Sequence, residues 1–166
     1  MSRPPIGLFR RSVLATAIAG LAITPGARVG ADPSGAVVVH GDVDFQSYGN
    51  ELTITHSPGA IIDWQSFSIA QDEITRFQQQ AASSAVLNRV VGDGASDLMG
   101  QLVSNGQVFL INPNGIVFGQ DMTIDTAGFV ASTLDLADED FLTGNYVFED
   151  GGDAGRIVNE GYLTTR

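Results

Sequence analysis

Twelve consecutive residues, Val108-Phe109-Leu110-Ile111-Asn112-Pro113-Asn114-Gly115-Ile116-Val117-Phe118-Gly119, constrain the fold of this chain more than any other stretch. The runs 108–111 and 116–118 are β-branched and aromatic. Between them, Pro-Asn-Gly supplies a fixed φ, a tolerant residue and one free of Cβ sterics. The segment therefore predicts a strand, a sharp corner and a second strand. Its apolar residues are consecutive and do not alternate, which predicts burial on both faces, as in a packed parallel sheet. A tight turn in any β protein has the same local signature, so the segment alone sets no topology.

The chain after residue 31 repeats this style. Short apolar runs, each closed by Gly, Asn, Asp or Pro, occur at 37–39, 52–54, 61–69, 86–91, 108–111, 116–118, 122–124, 146–148 and 157–163, an all-β pattern. Leu52-Thr53-Ile54-Thr55 alternates, so one of its faces should meet water. Two short helices are predicted as decorations: one over 97–103 capped by Ser96, and one over 136–142 capped by Asp135 with Leu134, Ala137 and Phe141 near one face. Periodicity leaves a β-sandwich and a solenoid both open, because self-similarity is too weak to count a period. The final segment is strand-like up to Arg166 with no polar cap, which in a solenoid would leave an open end.

At 166 residues the chain reads as one domain, and 20 glycines with no cysteine point to many turns and no disulfide framework. All basic residues are arginine. Arg3, Arg10, Arg11 and Arg28 precede residue 32, whereas all 19 acids follow it. Arg10 and Arg11 lead into an apolar run from Val13 to Ile23, Pro25-Gly26 breaks it, and Val29-Gly30-Ala31 offers small residues to a signal peptidase. Residues 1–31 are thus a predicted signal peptide cleaved after Ala31. The run is short for a membrane span, so a permanent anchor is the weaker reading. Phe9-Arg10-Arg11-Ser12 also fits a loose twin-arginine pattern, although the general secretory route is preferred because adjacent arginines are common ahead of such runs. Residues 32–166 then hold four arginines against 19 acids, which excludes nucleic acid as an electrostatic partner.

Other residues read mostly as structural. Trp64 and Phe67 are expected in the core, and Arg89 is expected to pair with an acid. Asp135, Asp138, Glu139 and Asp140 form an acidic run that reads as a solvated face, with calcium as the minority alternative. Glu149-Asp150-Gly151-Gly152-Asp153 lacks full calcium-repeat spacing. No catalytic residue, metal site or cofactor is predicted. His40 and His56 are isolated and read as surface or turn residues, and paired acids such as Asp42 and Asp44 are common on strands without chemistry. A β-helix enzyme acting on polysaccharides and a glycan-binding adhesive module are the alternatives, the second weakened by the lack of an aromatic row.

Asn112-Pro113-Asn114-Gly115-Ile116, preceded by 104–111 and followed by 128–134, resembles the N-terminal secretion domain of filamentous haemagglutinin-type exoproteins. Segments 62–69, 84–90 and 157–161 match the same pattern in order, so the likeness runs from about Val37 to the last residue. It is nearest the branch with high-molecular-weight adhesins and haem-acquisition exoproteins. The resemblance implies two-partner secretion in a Gram-negative bacterium. The general secretory machinery and signal peptidase would deliver the chain unfolded to the periplasm. Periplasmic repeat domains of an outer-membrane β-barrel transporter would engage it, and it would fold outside as a right-handed parallel β-helix with short extra-helical elements. The product would be secreted or displayed on the cell surface. A second family motif, Asn-Pro-Asn-Leu, is absent, which leaves the transporter subgroup open. The familiar domain is longer than residues 32–166, so the chain is expected to be the first part of a longer exoprotein whose downstream regions would meet host-cell or surface ligands. For Asn112, Pro113, Asn114, Gly115 and Ile116 two roles remain open: transporter recognition through the Asn amides of the unfolded chain, or a turn that Asn112 ties to neighbouring backbone.

Overall fold

The corner expected at 112–115 belongs to a stack of corners. The computed structural model describes residues 32–149 and 155–165; the predicted signal peptide and residues 150–153 of the second acidic run lie outside them. The described chain starts with β1 (Val37–His40) and β2 (Val43–Tyr48). A first coil follows as β3 (Glu51–His56) and β4 (Ala60–Trp64), a second as β5 (Ile74–Gln78), β6 (Ala85–Val90) and β7 (Ser96–Leu98), and a third as β8 (Gln101–Ser104), β9 (Gln107–Ile111) and β10 (Ile116–Phe118). The fourth coil runs through β11 (Thr123–Thr126) and β12 (Gly128–Ser132). It leaves the solenoid for β13 (Asp135–Leu136), α1 (Asp138–Thr143) and β14 (Phe148–Glu149), and returns as β15 (Ile157–Asn159). Strand β16 (Tyr162–Thr165) begins another coil.

Three ladders of parallel, in-register strands connect the coils: β4-β6-β9-β12, β3-β5-β8-β11-β16 and β7-β10-β15. The architecture is the expected right-handed parallel β-helix of about 4 turns, not a sandwich. Strands β1 and β2 pair antiparallel to β4 and β3 and so cover the first coil's edges, and β13 pairs antiparallel with β14 in the excursion. The Phe45 ring of β2 meets Trp64 edge-on at 5.7 Å.

Stacking puts equivalent residues of each coil in one column. Ala60, Val86 and Val108 form one inward column, Leu98 and Phe118 another, and Trp64, Phe67 and Phe77 fill the first coils, all buried. Among the polar residues at inward positions, Asn88 is wholly buried; it accepts from Trp64 Nε1 at 3.0 Å and donates to the Phe109 carbonyl at 3.2 Å, which satisfies it among apolar neighbours.

The consecutive apolar run at 108–111 is buried on both faces, as expected, for a specific reason. Val108 and Leu110 face the lumen. Phe109 and Ile111 face outward with Ile61 and Leu87, under the excursion that carries Leu136 and Phe141. In β3 the alternation also holds, since Leu52, Ile54 and His56 are buried and Thr53 and Thr55 are not.

Three local expectations are corrected. Residues 97–103 are not a helix capped by Ser96. They are two strands meeting at Gly100, where a Cβ would collide with the carbonyl oxygens of Ala70 and Glu73 in the coil before. The four-residue spacing of Leu98 and Leu102 comes from two inward positions either side of a corner, which imitates a helical turn. The second helix exists but starts later, at Asp138, with Ala137 at its N-cap and no side-chain cap bond. Asp135 sits instead in β13, held by Arg89 and bonded to its own Leu136 N–H. His56 is buried, not a surface or turn residue, because its place in β3 points it inward.

Candidate functional site

The segment 112–116 makes the corner from β9 to β10. Gly115 N–H donates to the Asn112 carbonyl at 3.1 Å and closes the turn, and Gly115 adopts φ +117°, where a side chain would be strained. A Cβ on Gly115 would also lie 3.0 Å from the Arg156 carbonyl oxygen. Ile116 is fully buried between Ser96 and Ile157, its register partners in the neighbouring coils.

Asn112 is fully buried and uses every bonding position of its side chain. Its Nδ2 donates to Gly94 O at 3.0 Å and to Ser96 Oγ at 2.9 Å, both in the preceding coil. Its Oδ1 accepts from Asn114 N–H at 2.9 Å and Asn114 Nδ2 at 3.2 Å. Two donors and two lone pairs are the whole capacity of a primary amide. The Asn112 backbone N–H donates to Ser132 O at 3.0 Å, toward the following coil. Pro113 and Asn114 are exposed. Asn114 Nδ2 reaches back to Gly92 O at 2.7 Å, and Pro113 O accepts from Gly155 N–H at 2.7 Å. The motif therefore bonds three successive coils to one another. In the folded domain Asn112 has no amide valence left for another molecule.

Sequence reasoning missed the partners of this corner. Local sequence makes Ser96 a helix-cap candidate, whereas in the fold it accepts the Asn112 amide. Gly94, Ser132 and Arg156 carry no local signature, since each contributes only backbone. The alternation Ser96-Asp97-Leu98, with its ends buried and its middle exposed, was the available signal for β7.

Charge is organised elsewhere. Arg89, on the outward face of β6, pairs with Asp63 of β4 at 3.3 Å and with Asp135 and Asp138 of the excursion at 3.1 and 2.8 Å. This is the acid pairing expected of Arg89, and it occupies two members of the acidic run. Glu51 is held below its ordinary range by its hydrogen bond from Arg76, 2.6 Å away. Burial pushes Glu73 up and His56 down. Among the described residues no group of three His, Asp or Glu side chains is placed to hold a metal ion.

Comparison with known proteins agrees with this geometry. The family model described as TPS secretion domain matches residues 29–165. Two proteins of Haemophilus influenzae, each named Heme/hemopexin-binding protein, are similar in sequence. One, from strain Rd, is 43% identical over 105 residues, 63% of this chain and 12% of that protein. The other is 36% identical over 113 residues, 68% and 12% respectively. The crystal structure of the HMW1 secretion domain from Haemophilus influenzae superposes with a TM-score of 0.78 at 47% identity, over 80% of this chain and 36% of that one. The chain thus spans only 12% of the length of the curated relatives it matches. Stacked coils, a motif corner bonded up and down the stack, and a match along nearly all of its length place the chain in the TPS secretion domain family.

Proposed function

We propose that residues 32–166 are the N-terminal secretion-targeting domain of a large secreted or surface exoprotein, recognised by a cognate outer-membrane β-barrel transporter through its periplasmic repeat domains. The family match over residues 29–165 carries this reading. Residues 1–31 act as the signal peptide, removed after Ala31 by signal peptidase once the general secretory machinery has moved the chain. The domain performs no catalysis. Adhesion or haem acquisition, the latter by likeness to the Heme/hemopexin-binding relatives, belongs to regions of the exoprotein beyond this chain.

The physics of such export fits the residues. Each coil that docks removes apolar side chains from water at about 25 cal/mol per Å², so folding outside favours forward movement without a nucleotide-driven motor. A chain without cysteine cannot be trapped in the periplasm by disulfides. Within this reading both asparagine amides of the motif are open to the transporter while the chain is unfolded, whereas in the folded corner Asn112, Gly115 and Ile116 are buried and Pro113 and Asn114 are exposed.

The test is export of a reporter fused after residue 166, in cells with and without the cognate transporter. Release only with the transporter is expected, and equal release without it overturns the reading. Asn114→Ala, checked first for an unchanged unfolding midpoint, tests recognition at the motif. Undiminished export of that variant removes the recognition role and leaves the corner's role structural.

A further inference from the structure

Strand register builds an apolar column on the outside of the solenoid. Ile61, Leu87, Phe109 and Val130 are register partners in coils one to four, and they pack with the excursion and not with the lumen. Beside them runs a second outward column of Asp63, Arg89, Ile111 and Ser132. Residues 134–149 cover both. Leu136, Phe141 and Phe148 pack on the first column, and the rings of Phe141 and Tyr146 lie against Phe109. Arg89 of the second column holds Asp135, Asp138 and the Leu136 carbonyl. The helix reaches the first coil as well, since a Cβ on Gly59, just before β4, would lie 3.3 Å from Leu142 Cδ2. Pairing of Asp135 with Glu149 and of Leu136 with Phe148 closes the excursion on itself, so it can dock as one unit.

We propose that residues 134–149 are a kinetic latch: they dock only on coils that have already stacked, and they set how slowly the domain unwinds. The inference rests on the secretion reading for its use, which is to stop a domain folded outside the cell from unwinding back toward the pore.

The order of events follows from where the seat of the latch comes from. Ile61, Leu87, Phe109 and Val130 become neighbours only when β4, β6, β9 and β12 pair, so the unfolded chain holds no floor for the excursion. Coils meet through shorter closures, Trp64 with Asn88 across 24 positions and Asn88 with Phe109 across 21, whereas Arg89 reaches Asp138 across 49. The longer closure costs more chain entropy and returns nothing until its floor exists. Contacts that form after the transition state leave the folding rate alone and appear in the unfolding rate. Ile61, Leu87 and Phe109 are buried beneath the excursion, so its release returns them to water before a coil peels away. An apolar outer column is no by-product of stacking, because the column Thr53, Arg76, Val103 and Asp125 on another face is mixed in polarity.

The test is the urea unfolding and refolding kinetics of the full chain carrying Phe141→Leu or Phe141→Ala. Unfolding should accelerate about tenfold in the first and about a hundredfold in the second, while refolding changes less than about twofold in either. Phe141→Leu keeps an apolar side chain on the seat and carries the test should Phe141→Ala fail to fold. Refolding slowed as much as unfolding is accelerated overturns the proposal, and so does unfolding no faster than the parent's. No transporter enters these measurements. Export that ignores the transporter would sink the secretion reading and leave the latch standing, whereas an excursion that forms early would remove the latch and leave the secretion reading intact.

Discussion

The Arg89 guanidinium donates to Asp138 Oδ1 at 2.8 Å across 49 positions of the chain. The same group reaches Asp63, Asp135 and the Leu136 carbonyl, so one side chain in the second coil fastens the excursion that leaves the fourth. Beneath it the Phe109 ring meets Phe141 at 5.4 Å and Tyr146 at 4.8 Å. The excursion is therefore a clasp over coils already stacked, held by apolar contact and located by charge.

Replacing Arg89 with Met keeps the aliphatic stem and leaves three carboxylates near one another without their cation. The expected loss is about 1–3 kcal/mol, with hydrogen exchange of amides 134–149 accelerating well before that of the lumen strands. Uniform acceleration throughout the domain would show that the clasp is not a separate unit.

Asn112 and Asn114 share a motif but not a burden. Asn112→Ala strands the Gly94 carbonyl, Ser96 Oγ and the Asn114 N–H, at a cost of about 2–4 kcal/mol in urea unfolding. Asn114→Ala gives up one exposed amide's bonds and should cost about 1 kcal/mol or less. Equal losses would contradict the bonding described for the corner.

Two glycines should respond in opposite directions. Gly100→Ala drives a methyl into two backbone carbonyls of the previous coil, at an expected cost of about 1–3 kcal/mol. Gly94 has open space at its Cβ position and no left-handed φ, so Gly94→Ala should stabilise by about 0.4–1 kcal/mol through the unfolded chain. Thermal unfolding of the two variants side by side decides this.

His56 gives the domain a pH dependence of known sign. Burial lowers its pKa from 6.5, so below that pH the unfolded chain gains a proton that the folded one resists. Its contribution is intact above pH 6.5 and declines as pH falls toward the lowered folded value. The urea midpoint should drop between pH 7.5 and 5.5, and His56→Leu should reduce that drop. A drop of the same size in the variant would assign the effect to other groups.

Much of the architecture was legible in local order. The runs at 37–39, 52–54, 86–91 and 108–111 are strands, and 112–115 turns between two of them. Strands β2 and β5 are harder to see: Asp44 and Gln46 interrupt the apolar residues of β2, and β5 buries Thr75 and Phe77 while Ile74, Arg76 and Gln78 take the other face. The spacing of Leu98 and Leu102 imitated a helix because a coil corner and a helical turn both return a side chain to the same side after four residues. At the motif, the turn was legible and the saturation of Asn112 was not, since Gly94 and Ser96 lie in another coil.

From the sequence alone come the strand-turn-strand chemistry of 108–119, the all-β class and the family, because backbone preferences and motif order are local and survive without a fold. Tertiary structure alone decided that Arg89 would clasp the excursion and that Asn112 would bond Gly94 and Ser96 of the coil before. Those relations depend on the register of stacked coils, and register is set by the length of each coil and the side chains it buries, which no short window of residues contains.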